Sequence, residues 1–144
     1  MSASPTQRTL EHCRKLGWDA GVVERWNPHA RIRHDLFGFV DIVAIDQCSR
    51  VHMIQATSTA NMQARINKIE DDENMARIAR ALGAHGVVEV WGWAKRGAKG
   101  KRKTWTLRRA VREYGEWLNV DNENERIWPA SKTTPPTSGA GQQP

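Results

Sequence analysis

A small α/β domain with a mixed sheet is the fold class this chain predicts, on three observations. The run "FVDIVAI" is apolar on both alternating faces except at Asp41, as in an interior strand of a covered sheet. The short "DQCSR" that follows leads into a second apolar run, "VHMIQATS", so these two strands form an antiparallel hairpin. Beyond it the apolar period changes from strand-like to helical and then back at "VVEVWGWA", which gives a strand-helix-strand order.

The elements follow in chain order. Residues 5 to 16 form a short helix with Ser4 or Thr6 as its cap, Leu10, Cys13 and Leu16 on one side and Gly17 as its stop. "DAGVVERWN" is a first strand centred on Val22 to Trp26, and the polar "PHARIRHDLFG" connects it to the second. In the long helical segment, Met62, Ile66 and Ile69 mark a stripe that Met75, Ile78 and Leu82 continue, Gly83 ends it, and the acidic "EDDEN" is a point where it divides. "TWTLRR" is a fifth strand, reached through a glycine- and lysine-rich loop, and "RAVREYGEWL" reads as a last helix. From Pro129 the chain is rich in Pro, Ser, Thr, Gly and Gln and nearly free of apolar residues. One domain over residues 1–128 and a disordered tail over 129–144 are therefore expected.

At 144 residues the chain is long enough to bury a core without disulfides or a structural metal. Its formal charge of +6 favours polyanionic partners, nucleic acid first. Cys13 and Cys48 have neither C-x-x-C spacing nor zinc-finger partners, and a reducing cytoplasm fits that usage. No stretch approaches the roughly 20 apolar residues of a membrane helix, so no membrane partner is expected. Seven tryptophans against two phenylalanines and one tyrosine are candidates for core anchors or for base-stacking platforms. P-loop, G-x-G-x-x-G, G-x-S-x-G and H-E-x-x-H patterns are all missing, which argues against nucleotide hydrolase, dinucleotide-binding and serine hydrolase chemistry.

Asp41 is the residue that the strand pattern leaves unexplained. A turn centred on Cys48 sets Asp41 opposite Gln55, with Val51, Met53, Gln55 and Thr57 on one side of the third strand. Glu24 is another carboxylate in a strand-like run. A buried carboxylate must be paired, protonated or bound to a cation. Asp41, Gln55 and Glu24 offer oxygen ligands suited to Mg²⁺; the alternative is a buried network with Arg25, Arg31 or Arg33. On the following helix, Asn61, Arg65 and Lys68 share a face, with Arg65 a candidate phosphate ligand and Lys68 a candidate for balancing charge, unless the face is simply solvated. "KRGAKGKRK", residues 95 to 103, puts Lys95, Arg96, Lys99, Lys101, Arg102 and Lys103 between two strands, flanked by Trp93 and Trp105. Such a basic tip tracks phosphates without reading sequence.

Through "VVERW", "RHDLFGFVDIVAI", "VHMIQATSTANMQARINKI" and "VVEVWGW" the chain resembles the PD-(D/E)XK nuclease superfamily, including small phage and bacterial members and Holliday-junction-resolvase-like proteins. The resemblance covers roughly Glu11 to Leu107. It implies a restriction-endonuclease-like α-β-β-β-α-β core, a mixed sheet flanked by helices. It also implies hydrolysis of DNA phosphodiesters with Mg²⁺ or Mn²⁺, branched or phage DNA intermediates among the substrates, RNA as a further possibility, and a location in the bacterial or phage-infected host cytoplasm. Resolvase-like members act as dimers, which implies a homodimer. Carried over by position, Glu24 stands for the early acidic residue, Asp41 for the metal-binding aspartate and Gln55 for the acidic residue of the E-x-K element. Thr57 stands where the lysine is expected, and Lys68, with Arg65 behind it, is the candidate for a lysine moved to the neighbouring helix. Arg33 joins the basic loop in positioning the backbone, and Asp35 is an outer partner. A nucleic-acid-binding module that has lost cleavage on the same fold is the alternative.

Overall fold

The computed structural model describes residues 3–120. The tail over 129–144 and Trp128 lie outside the described residues.

Helix α1 (Pro5–Lys15) begins where Ser4 takes the Gln7 N–H at 3.2 Å, with Pro5 in the first turn where no amide is needed. It ends at Gly17, whose φ of +82° suits glycine. Strand β1 (Asp19–Val22) follows. A separate two-stranded ribbon, β2 (Arg25–Asn27) and β3 (Ile32–His34), then precedes β4 (Ile42–Ile45) and β5 (Val51–Ser58). A short 3-10 turn (Thr59–Asn61) leads into α2 (Met62–Asp71) and α3 (Glu73–Gly83). The acidic interruption does split the helical segment: Asp72 has extended backbone and its carboxylate accepts the Met75 N–H at 3.0 Å, capping α3. Strands β6 (Val87–Arg96), β7 (Thr104–Glu113) and β8 (Glu116–Val120) complete the chain.

The main sheet has six strands in the order β1-β4-β5-β6-β7-β8. Only β5 and β6 run parallel, because α2 and α3 form the crossover between them. Both faces are covered. Helix α1 closes over Leu10, Cys13, Ile42, Ala44, Ile54 and Trp91, while α2 and α3 close over Met53, Met62, Ile69, Ala79, Val88 and Val90. Among the described residues no helix is long and apolar enough to cross a membrane.

Two expectations are corrected here. "RAVREYGEWL" is a β-hairpin and not a helix: Tyr114 and Gly115 take φ of +54° and +83°, the pair of positive angles a two-residue hairpin turn requires, and Val111 pairs with Leu118. The apolar spacing that suggested a helix comes instead from β7 and β8 stacking their residues on the sheet. The first strand also stops early, at Val22, so Glu24 lies at the corner between β1 and the ribbon. Asn27 builds the ribbon's loop by accepting the His29 and Ala30 N–H groups, and with most ribbon side chains exposed no apolar alternation marked β3 in the sequence.

Beneath α1 lies a buried charged network. Glu89 on β6 accepts from the Arg109 guanidinium at 2.6 and 3.0 Å and from the Trp91 indole at 2.8 Å, and it is bonded to His52 Nδ1. The other nitrogen of His52 meets Asp46 at 2.9 Å, and its ring stacks on Trp18 with centroids 4.3 Å apart. Arg109 lies over the Trp91 ring at 4.8 Å. Trp93 donates to Thr9 and Trp117 to Glu70, so much of the tryptophan content supports the core. Trp26 and Trp105 differ, at 51% and 39% exposed.

One close approach sets the position of the crossover. A β-carbon on Gly92 would run into the Met62 side chain and lie 2.9 Å from the Thr59 Cα. Gly92→Ala is expected to destabilise the fold by about 1–3 kcal/mol, read as a lower urea midpoint with an unchanged slope.

Candidate metal centre

The residues of interest gather where β1 ends, β4 begins and β5 nears its end. The turn centred on Cys48 holds the register expected for it: Asp46 caps the Cys48 and Arg50 amides, and Ile42 pairs with Ile54, Val43 with Met53 and Ala44 with His52. One step further, Asp41 stands opposite Gln55, with the Asp41 N–H donating to the Ile54 carbonyl at 2.9 Å. Asp41 precedes β4, where the paired strands part. Its Oδ2 takes over the Ala56 N–H at 2.8 Å, a donor the ladder no longer serves.

Two further registers deliver two more acids. Leu36 bridges Val40 across a tight turn in which Phe37 and Gly38 both have positive φ, 58° and 85°. One step outward on that turn stand Asp35 and Asp41. In the ribbon Arg25 pairs with His34, and the next step outward is Glu24 and Asp35. The result is a cluster in which Glu24, Asp35 and Asp41 each offer a carboxylate oxygen within 4.8 Å of the others. Gln55 joins it by donating its amide N–H to Asp35 Oδ2 at 3.2 Å.

Asp35 is therefore inside the cluster and not beside it. The signal was in "DLFGFVD": two aspartates flanking a glycine-containing run are cross-strand neighbours if the run folds as a tight turn. Reading "PHARIRHDLFG" as an open connection hid it. Phe37 contributes as well, since a bulky side chain at positive φ is costly backbone geometry.

Asp41 is 5% exposed. Burial first, and then the hydrogen bond and negative charge shared with Asp35, push its pKa up to about 8, against the opposing pull of the Ala56 N–H. Gln55 is 2% exposed, and its carbonyl Oε1 is buried without a hydrogen-bond partner. An acceptor left unsatisfied beside three carboxylates is a costly arrangement that a cation relieves. An all-oxygen donor set of few carboxylates and one amide fits Mg²⁺ or Mn²⁺ better than a softer metal.

The remaining candidates are distributed differently. Thr57 is buried two residues beyond Gln55 on the same side of β5. Lys68 donates to the Gly38 carbonyl at 3.1 Å, tying α2 to the turn between Asp35 and Asp41. Arg65, one turn earlier, is half-buried. Arg33 reaches Glu24 at 3.4 Å. Lys95, Arg96, Lys99, Lys101, Arg102 and Lys103 are all exposed on the β6–β7 hairpin. Because β6 runs parallel to β5, that hairpin projects from the end of the sheet that carries the cluster. Trp105 is sandwiched into this basic surface, with the Arg8 guanidinium 3.7 Å from its ring centroid and Lys95 at 5.9 Å.

Comparison of the chain with protein-family models, with curated proteins and with solved structures finds no significant match.

Proposed function

We propose that this protein is a metal-dependent nuclease that hydrolyses DNA phosphodiester bonds, on the plan of the PD-(D/E)XK superfamily. The observation that carries the reading is the cluster of Glu24, Asp35 and Asp41, met by the amide N–H of a Gln55 whose own Oε1 is buried and unsatisfied. The order α1, β1, β4, β5, α2 with α3, β6 is compatible with the α-β-β-β-α-β core such nucleases share. The basic hairpin at the same end of the sheet fits a phosphate backbone laid across the cluster.

In this reading Asp41, Asp35, Glu24 and Gln55 would hold Mg²⁺ or Mn²⁺. When bound, such an ion polarises the scissile phosphate and lowers the pKa of a water. Asp41 would serve as a ligand in its ionised form, oriented by the Ala56 N–H. Gln55 contributes its carbonyl while its N–H keeps Asp35 turned inward. Lys68, through Gly38, fixes the turn from which both aspartates project, a positioning role. The lysine beside the metal in the superfamily pattern has no counterpart at Thr57. Arg33, whose guanidinium reaches Glu24 at 3.4 Å, supplies positive charge beside the phosphate.

A second reading, a nucleic-acid-binding module without cleavage on the same fold, is favoured by one observation: Thr57 is a buried neutral residue and Lys68 is engaged by Gly38. The test is incubation of the full chain with plasmid, linear and four-way-junction DNA in Mg²⁺, in Mn²⁺ and in chelator. Strand breaks that need the metal and disappear with chelator are expected. Binding of all three substrates with no breaks under any condition would transfer the conclusion to the second reading.

A further inference from the structure

The β2–β3 ribbon presents a surface that the core does not need. Trp26 and Arg33 are directly paired across it, so their side chains share one face, and the Arg33 guanidinium lies 5.9 Å from the Trp26 ring centroid. Arg33 also reaches Glu24, two positions before Trp26, so this face runs without a break from the carboxylate cluster to the exposed indole. The Arg33 side chain is 65% exposed while that of Glu24 is 12% exposed, so accessibility rises outward from the cluster. Trp26 stands half in water on this face, at 51% exposed.

We propose that the Trp26–Arg33 face is a subsite for one unpaired nucleotide adjoining the acidic cluster, with the base stacked on the indole and a phosphate on the guanidinium. An aromatic face accepts any base, but only one whose own face is free, and in continuous duplex the neighbouring bases occupy it. The preferred substrate class is accordingly single-stranded DNA or a strand end, over uninterrupted duplex. The net charge of +6 and the basic hairpin at the same end supply the attraction for a polyanion that a purely apolar patch would lack. The proposal deepens the nuclease reading and rests on it for which bond is cut, but the subsite itself is tested by binding alone.

The experiment is fluorescence anisotropy of the full chain in chelator with a labelled oligothymidylate and with a blunt duplex of matched length, for wild type, Trp26→Ala, Trp26→Phe and Arg33→Ala. Trp26→Ala is expected to weaken the oligothymidylate roughly tenfold and the duplex less than about twofold, with Trp26→Phe retaining most of the affinity. Arg33→Ala should weaken the oligothymidylate and flatten its salt dependence. Equal losses on both probes, or no loss with Trp26→Ala, would overturn the subsite. So would a shift to a lighter species in sedimentation with oligothymidylate binding intact, which would mark the patch as a self-association face. Wild type that binds oligothymidylate through Trp26 yet never cuts DNA with metal would keep the subsite and remove the nuclease reading.

Discussion

Asp41→Asn is expected to leave the protein folded and to lower metal-dependent cleavage by about a hundredfold or more, since even partners outside the ligand set of metal sites cost 10–100-fold. Burial and the neighbouring Asp35 raise the Asp41 pKa to about 8, so the neutral acid prevails near pH 7 when no cation is bound. Asparagine has nearly the shape of that neutral acid and keeps an oxygen for the Ala56 N–H at the 2.8 Å contact. What it lacks is the capacity to become a carboxylate. The variant should therefore melt within a few degrees of wild type while losing Mn²⁺ binding by calorimetry together with strand cleavage. Undiminished metal-dependent cleavage by Asp41→Asn would place the chemistry elsewhere and point to a contaminating nuclease. Asp41→Ala is the weaker instrument, because it also abandons the Ala56 amide.

The second large effect is on stability, at the opposite face of the sheet. Glu89→Gln is expected to cost about 3–5 kcal/mol, because it removes the buried carboxylate that accepts from the Arg109 guanidinium and is bonded to His52. For a domain of this size that corresponds to a melting temperature lower by roughly 10–20 °C. Replacing Glu89 and Arg109 together with apolar residues of similar volume should recover much of the loss, since the pair's desolvation cost disappears with it. A Glu89→Gln protein melting with wild type would refute the assignment.

The same network sets a pH window. Burial works to raise the Glu89 pKa, but Arg109, His52 and Trp91 outweigh it and bring it down to about 2. With an ordinary value of 4.5, its contribution is complete above that pH and is lost as the pH falls toward 2. Burial opposes charge on His52, and the hydrogen bonds and negative charge of Glu89, with Asp46, overcome it and raise the pKa above 6.5. The His52 contribution is complete below 6.5 and is lost as the pH rises through the folded value. The contribution of this network should then be greatest between about pH 4.5 and 6.5, read as the difference in denaturant midpoint between wild type and His52→Gln, which should remove the alkaline decline that the ring contributes.

How much of this was legible in the sequence differs from residue to residue. The Asp41–Gln55 opposition could be read directly, because a strand's period of two and a five-residue turn leave one register that keeps both greasy faces inside. The division of the helix at Asp72 and the basic hairpin were equally open to reading, as caps and charge runs are local signals. Asp35 reads from sequence only as an outer partner because its place depends on a turn with Phe37 at positive φ, a conformation that residue type disfavours and that only the packed surroundings impose. The β7–β8 segment predicts a helix from sequence alone because its apolar residues fit either period, and the adjacent β6 edge decides between them.

By itself the sequence determined that β4, β5 and β6 are strands, the hairpin register around Cys48, and that a carboxylate had to be buried in "FVDIVAI", since these follow from neighbours a few positions apart. The tertiary structure decided that Glu24 and Asp35 come to meet Asp41, that Gln55 donates to Asp35 while its own oxygen stays buried and unsatisfied, that Lys68 is engaged by Gly38, and that Glu89 finds Arg109 and His52. The physical reason is the same in each case. These partners are brought together by three turns and a crossover whose geometry is selected by burying both faces of the sheet at once, and no local pattern encodes that joint optimum.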